Sequence, residues 1–120
     1  MLGEYADIDI ALDPFPFCGG LTTCEALWMG VPVVTHPWIR PMSRQGFALL
    51  EAVGLAELAA PTPGAYVEIA AGLARDAGRR GAWRAGLRDR MRSSALFDGP
   101  GLARALEAAY VSALEARRAA

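Results

Sequence analysis

Ile8, Ile10 and Leu12, with Ala11 among them, form a short β-prone segment that stops at the turn residues Asp13-Pro14 and Pro16. The pattern predicts a strand over residues 8–12. After a loop from Phe15 to Gly20, residues 22–29 are good helix formers, with Thr22 or Thr23 placed to cap the start and Gly30 to end the helix. Pro32 keeps that helix from resuming. Val31 to Thr35 is a β-branched run without polar alternation, which suits a parallel strand covered on both faces. Strand, loop, helix, strand is the order that a parallel crossover requires.

A second loop, His36 to Met42, leads to Ser43, a candidate cap for a helix running to about Val53 with Gly54 as its stop. Leu55 to Leu58 is a candidate short strand. From Pro63 onward Tyr66, Val67, Ile69, Ala70 and Leu73 recur at helical spacing, predicting a helix that packs on the sheet. Trp83, Leu87 and Met91 recur four residues apart among arginines. Leu102, Leu106, Ala109, Tyr110 and Leu114 form a further apolar stripe after a Gly99-Pro100-Gly101 break. The C-terminal third therefore reads as helical and amphipathic, with fraying expected at residues 116–120. The fold class is α/β, parallel strands with helices, and residues 1–120 form one unit.

Composition narrows the function classes. Twelve basic against 13 acidic residues give a net charge of -1, which is no broad footprint for nucleic acid or an anionic membrane, so any phosphate binding must be local. All the basic residues are arginine and alanine is abundant, a bias that carries no chemistry by itself. The start of the chain lacks a basic region followed by an apolar stretch, and no apolar run approaches about 18 residues. Cys18 and Cys24 fit neither a zinc site nor a disulfide framework, so a reducing cytoplasmic setting is expected and no metal is assigned.

The chemistry is concentrated between Asp13 and Val34. Gly19, Gly20, Thr22 and Thr23 stand at a strand-to-helix junction, where free backbone N–H groups and the positive end of the helix dipole suit a diphosphate. The alternative for the paired glycines is a tight turn. Glu25, one helical turn on, is placed to accept hydrogen bonds from ribose hydroxyls, or else is a solvated acid that pairs with the dipole.

Asp9-Ile10-Ala11-Leu12-Asp13, Gly19-Gly20 and the run Thr22-Thr23-Cys24-Glu25-Ala26-Leu27-Trp28-Met29-Gly30-Val31-Pro32-Val33-Val34-Thr35 resemble the donor-binding segment of bacterial O-linked N-acetylglucosamine transferase homologues. Ser43-Arg44-Gln45, Gly54-Leu55, Glu57-Leu58, the Tyr66 helix, Leu87-Arg88, Arg90-Met91, Ser93-Ser94 and Leu96-Phe97-Asp98 continue the likeness over nearly the whole chain. The Glu25-Ala26 to Pro32-Val33-Val34 portion is shared widely among two-Rossmann-domain glycosyltransferases. Its combination with Leu27-Trp28-Met29 and Leu96-Phe97-Asp98 is much more specific and resembles the O-linked N-acetylglucosamine transferase and Spindly type.

The resemblance implies the C-terminal half of a Rossmann-like, GT-B donor-binding domain. It implies an inverting transferase that needs no metal or further cofactor, takes UDP-N-acetylglucosamine, GDP-fucose or another nucleotide sugar, and has protein serine or threonine as acceptor. Carried over by position, it places Gly20, Leu21 and Thr22 at the diphosphate and Glu25 at the ribose, with Gly19 lining the same nucleotide-sugar site. The family pattern has asparagine where Cys18 stands and threonine where Leu21 stands, so one phosphate-directed hydroxyl is absent here. The family's first strands, a phosphate-facing basic residue and the acceptor-side domain would precede this segment and find no room before Met1-Leu2-Gly3. No catalytic residue is therefore assigned, and the chain is expected to be inactive alone. Arg40 and Arg44 are the arginines near the loops that can substitute for the missing cation.

His36 follows a strand, where ligands of open α/β sheets gather, although a lone loop histidine is more often incidental. Cys24 at a helix start is a formal nucleophile, yet buried packing fits it better. Trp28, Trp83 and Tyr110 lie in helical stripes and read as packing residues rather than a sugar-stacking set. Arg79, Arg80, Arg84, Arg88, Arg90 and Arg92 read as a solvated helix face. The competing function, from another class, is a non-catalytic interaction module or remnant that contacts a partner through its helical C-terminal third.

Overall fold

The expected parallel pairing is present but only two residues deep. A computed structural model describes residues 2–119, and in it β1 (Ala11–Leu12) pairs in parallel with β2 (Val33–Val34), Ala11 opposite Val33 and Leu12 opposite Val34. The ladder is anchored by Ala11 N–H donating to the Pro32 carbonyl and Asp13 N–H to the Val34 carbonyl, both at 2.9 Å. Residues 8–10 do not join the strand as expected. Leu2–Asp7 is instead a 3-10 turn, and Ile8 N–H closes back on the Tyr5 carbonyl at 3.3 Å. Alternation of isoleucines makes no strand where no neighbour meets it.

Helix α1 (Leu21–Trp28) bridges the two strands, one residue earlier than the sequence suggests. Neither threonine caps it. Gly20 occupies the cap position, and no side chain bonds the first turn. Gly30 ends it at φ 79°, a left-handed conformation where a Cβ would also sit 2.6 Å from the Arg84 carbonyl. Glycine is therefore required twice over at this crossing.

Beyond β2 the chain makes a 3-10 turn, Pro41–Ser43, before α2 (Gln45–Ala52). Ser43 is not the cap of α2. Its hydroxyl donates to the Arg40 carbonyl at 2.7 Å, inside the turn that Pro41 begins. The expected strand Leu55–Leu58 is also displaced: Ala56–Leu58 is a 3-10 turn, and the pairing moves to residues 58–60. There Thr35 N–H donates to the Leu58 carbonyl and Ala60 N–H to the Thr35 carbonyl, forming a parallel bridge between Thr35 and Ala59. Three extended segments thus lie side by side, β1 outermost, β2 central and residues 58–60 on the far side.

Helix α3 (Pro63–Arg75) begins as its sequence dictates, with the Thr62 hydroxyl accepting from Ala65 N–H and Pro63 in the first turn. Helix α4 (Ala77–Arg92) is capped by Asp76 and packs on α1 and α3. It turns Leu87 and Met91 into a core formed with Leu27, Val31, Val34, Leu50, Leu55 and Leu58. Truncating any one of these buried leucines to alanine would cost about 2–5 kcal/mol. Val67, counted in the α3 stripe, is exposed instead.

The Gly99-Pro100-Gly101 break forms the first turn of α5 (Gly99–Ala119) rather than a gap before it. Asp98 caps this helix by accepting from Gly101 N–H at 2.8 Å, and a Cβ at Gly101 would overlap the same carboxylate. No residue of α5 is buried, and Leu102, Leu106, Tyr110, Val111 and Leu114 are all exposed. The packing expected of that stripe is not made within the described residues.

Candidate donor-binding site

The ends of the three extended segments that lead into the 13–20, 36–44 and 60–62 loops share one edge, the edge where open α/β sheets gather ligands. Helix α1 begins there. Its first intrahelical bond is Cys24 N–H to the Gly20 carbonyl at 3.1 Å, so the N–H groups of Gly20, Leu21, Thr22 and Thr23 have no partner within the helix. Leu21 and Thr22 are exposed, Gly20 is half-buried and Thr23 is buried.

Gly19 stands differently. Its N–H is directed away from the helix start, donating to Asp13 Oδ1 at 2.6 Å. A Cβ there would lie 2.7 Å from the Thr22 hydroxyl and 2.8 Å from that of Thr23, so the residue is enclosed between the carboxylate and two hydroxyls. Gly20 faces the Gln45 side chain, whose Oε1 would be 2.8 Å from a Cβ at that position.

Glu25 is half-buried on the same face of α1 as Thr22, three residues on. It borders a cavity of about 330 Å³ with Leu2, Cys24, Trp28, Met91 and Phe97. The Tyr5 hydroxyl stands nearby, 3.4 Å from the Thr22 carbonyl. Partial burial first, and then the Glu25 carboxylate, raise this phenol above its ordinary pKa, so it remains a proton donor. Burial and the same carboxylate also raise Cys24, the opposite of what a helix-start nucleophile needs.

This arrangement occurs in a chain with clear relatives. The profile described as Glycosyl transferase family 41 matches residues 2–106. The chain belongs to this family. Over 108 residues it is 44% identical to a barley (Hordeum vulgare) protein described as a probable UDP-N-acetylglucosamine–peptide N-acetylglucosaminyltransferase SPINDLY, covering 90% of this chain and 11% of that protein. A Caenorhabditis elegans UDP-N-acetylglucosamine–peptide N-acetylglucosaminyltransferase is 42% identical over 91 residues, 75% of this chain and 8% of the relative. A solved O-GlcNAc transferase mutant of Thermobaculum terrenum superposes with a TM-score of 0.83 at 44% identity, covering 91% of this chain and 21% of that one. The chain thus spans about a tenth of its curated relatives and a fifth of the solved transferase. Its fold agrees with the resemblance read from the sequence, a partial α/β domain of the transferase type with parallel strands.

The two stretches that mark the family 41 resemblance most specifically meet in space. Trp28 stacks on Phe97 at 5.4 Å, and the guanidinium groups of Arg88 and Arg92 lie over the indole at 5.1 and 5.2 Å. Trp28 is thus a packing residue, as read, whereas Tyr110 is 66% exposed. The arginine cluster is more than a solvated face. Arg88 Nε donates to the Trp28 carbonyl at 2.9 Å and Arg84 Nη1 to the Tyr5 and Met29 carbonyls at 2.9 and 3.1 Å, satisfying the C-terminal end of α1. Arg80 Nη1 does the same for α3 at the Leu73 and Ala74 carbonyls. The spacing of the arginines predicts a helix, but the targets of Arg84 and Arg88 lie 55–79 residues away.

Cys18 also spans two elements. Its thiol donates to the Met42 carbonyl at 3.1 Å and accepts from Gly46 N–H at 3.3 Å, tying the glycine loop to the start of α2. His36 is buried at the end of β2, with Nδ1 2.8 Å from the Ala60 carbonyl. A carbonyl only accepts, so Nδ1 carries the proton. Phe15 and Trp38 meet the imidazole edge-on, and a cavity of about 410 Å³ lies beside it, bordered by Trp38, Arg44 and Pro61. Arg44 donates to the Trp38 carbonyl at 3.4 Å and covers the Phe47 ring, while Arg40 borders a separate hollow of about 310 Å³ with Phe17. Among the described residues no group of three His, Cys, Asp or Glu side chains gathers as a metal site. No described helix is long and apolar enough to cross a membrane.

Proposed function

We propose that this chain is the donor-binding portion of a family 41 protein O-glycosyltransferase, holding the diphosphate and ribose of a UDP-sugar such as UDP-N-acetylglucosamine. The observation that carries this reading is the start of α1. Unpaired amides at Gly20, Leu21 and Thr22 face the strand-end edge, and Glu25 follows on the same face. Three residues of helix advance about 4.5 Å, a step compatible with passing from a diphosphate to its ribose. The amides and the helix dipole would hold the phosphates, with Gly19 shaping the turn rather than donating, and the Glu25 carboxylate would accept from the ribose hydroxyls. The Leu21 side chain adds no hydroxyl, so its contribution is its backbone N–H.

Transfer to a serine or threonine hydroxyl needs donor and acceptor fixed against each other, and half a cleft cannot do that. The 120 residues alone should therefore bind nucleotide without turnover. Titration calorimetry with UDP tests the binding, and Glu25→Ala should weaken it about tenfold, the loss expected for a hydrogen bond to a charged group. Equal affinities with and without the substitution would show Glu25 to be a surface acid. Turnover of UDP-N-acetylglucosamine on a peptide by the chain alone would refute its dependence on further sequence.

One observation favours a second reading, a non-catalytic interaction module: the uncovered apolar stripe of α5. Absence of any nucleotide binding, together with capture of a partner that Leu106→Glu abolishes, would favour it.

A further inference from the structure

Asp13 is only 4% exposed, yet it meets no cation: the ion pairs among the described residues are Arg79–Glu57, Arg80–Asp9 and Arg92–Asp89. Its charge is answered by donors instead. Oδ1 accepts from Gly19 N–H at 2.6 Å and Oδ2 from the Thr35 hydroxyl at 2.7 Å, while the Tyr66 hydroxyl donates to its carbonyl at 2.9 Å. The first turn of α2 presses on the same carboxylate, because a Cβ at Gly46 would overlap Oδ2. The positive end of that helix dipole therefore faces the charge. One side chain joins the ends of β1 and β2, the glycine loop and the start of α2, and its carbonyl adds α3.

We propose that Asp13 is the positioning residue of the diphosphate loop. It touches no ligand itself. By holding the Gly19 N–H it fixes the peptide before two residues of wide backbone freedom, and so sets the direction of the amides at Gly20, Leu21 and Thr22. Thr35 holds the carboxylate in turn. Without this tie the loop spreads over conformers that a diphosphate must then select from, and affinity falls by the fraction lost. The proposal rests on the donor-binding reading above, and it concerns the phosphates alone, not the nucleoside.

The test is the ratio of affinities for diphosphate over nucleoside, UDP against uridine and GDP against guanosine, measured by calorimetry on the 120-residue chain. Asp13→Ala should lower that ratio about tenfold, and Thr35→Val should lower it less but in the same direction. Asp13→Asn should preserve it, because its amide oxygen can accept from Gly19 and its NH2 can donate to the Thr35 hydroxyl. Partial unfolding reduces the binding stoichiometry and leaves the ratio alone, so a merely structural role does not imitate the result. An unchanged ratio in Asp13→Ala, or in Thr35→Val should the alanine variant not fold, overturns the positioning role by itself. Failure of the unsubstituted chain to bind either nucleoside diphosphate overturns the donor-binding reading, and the positioning role with it.

Discussion

The Phe97 ring lies stacked on the Trp28 indole, 5.4 Å between centroids and 15° from coplanar, joining the end of α1 to the turn that precedes α5. The stack holds residues 95–98 against the body, where the ring of Phe97 also borders the cavity shared with Glu25. Phe97→Ala and Trp28→Leu should each destabilise the chain. A double-mutant cycle followed by urea unfolding should return a coupling of about 0.5–1.5 kcal/mol, typical of aromatic pairs. Additive effects would mean that the stack contributes only the area it covers.

The ladder makes a residue-by-residue prediction for hydrogen exchange. Ala11 and Asp13 N–H groups are bonded to Pro32 and Val34, so the intervening Leu12 N–H points to the unpaired side of β1, and Leu12 is 59% exposed. Ala11 and Asp13 should be protected and Leu12 should exchange quickly, as seen by exchange NMR. Protection at Leu12 equal to its neighbours would place another strand on that edge.

Gly30 and Gly54 both have positive φ, 79° and 69°, but only Gly30 is crowded, by the Arg84 backbone. Gly54→Ala should cost the left-handed penalty alone, about 1–2 kcal/mol. Gly30→Ala should cost more, because α4 must also shift. Urea midpoints of the two variants provide the comparison, and equal losses would mean that α4 yields freely.

Burial and the Glu25 charge raise the Cys24 thiol, so less thiolate is present at any given pH than in free cysteine. Alkylation by iodoacetamide at about pH 8 should therefore be slower at Cys24 than for a free thiol. Glu25→Gln should speed it by removing one of the two causes. A Cys24 rate above that of a free thiol would restore its candidacy as a nucleophile.

What could be read in advance was what depends on neighbours in sequence. Pro63 starts α3, Gly30 ends α1, and the four-residue spacing of Leu87 and Met91 gives the buried face of α4. Strand extent was not legible, because Ile8 and Ile10 alternate correctly yet β2 offers partners only to Ala11 and Asp13. Leu55 to Leu58 has strand composition, but its pairing partner Thr35 engages two residues later. In the candidate site, the glycines, Thr22 and Glu25 stood out from their order along a helix start. Asp13 read only as a turn residue, since its meaning depends on Thr35, 22 positions away, and on the start of α2. Tyr5 and the capping arginines were hidden for the same reason.

None of the 21 residues of α5 is buried, so the core of the body does not depend on that helix. Without a packed face, such a helix is held by its own hydrogen bonds and its length-dependent cooperativity. Damage to Leu27 or Leu87 would melt the body and leave the helix content of α5 as it was. Conversely, whatever surface comes to lie on Leu102, Leu106 and Tyr110 supplies the order of that segment along with the contact, and the helicity measured there reports on occupancy rather than on the core.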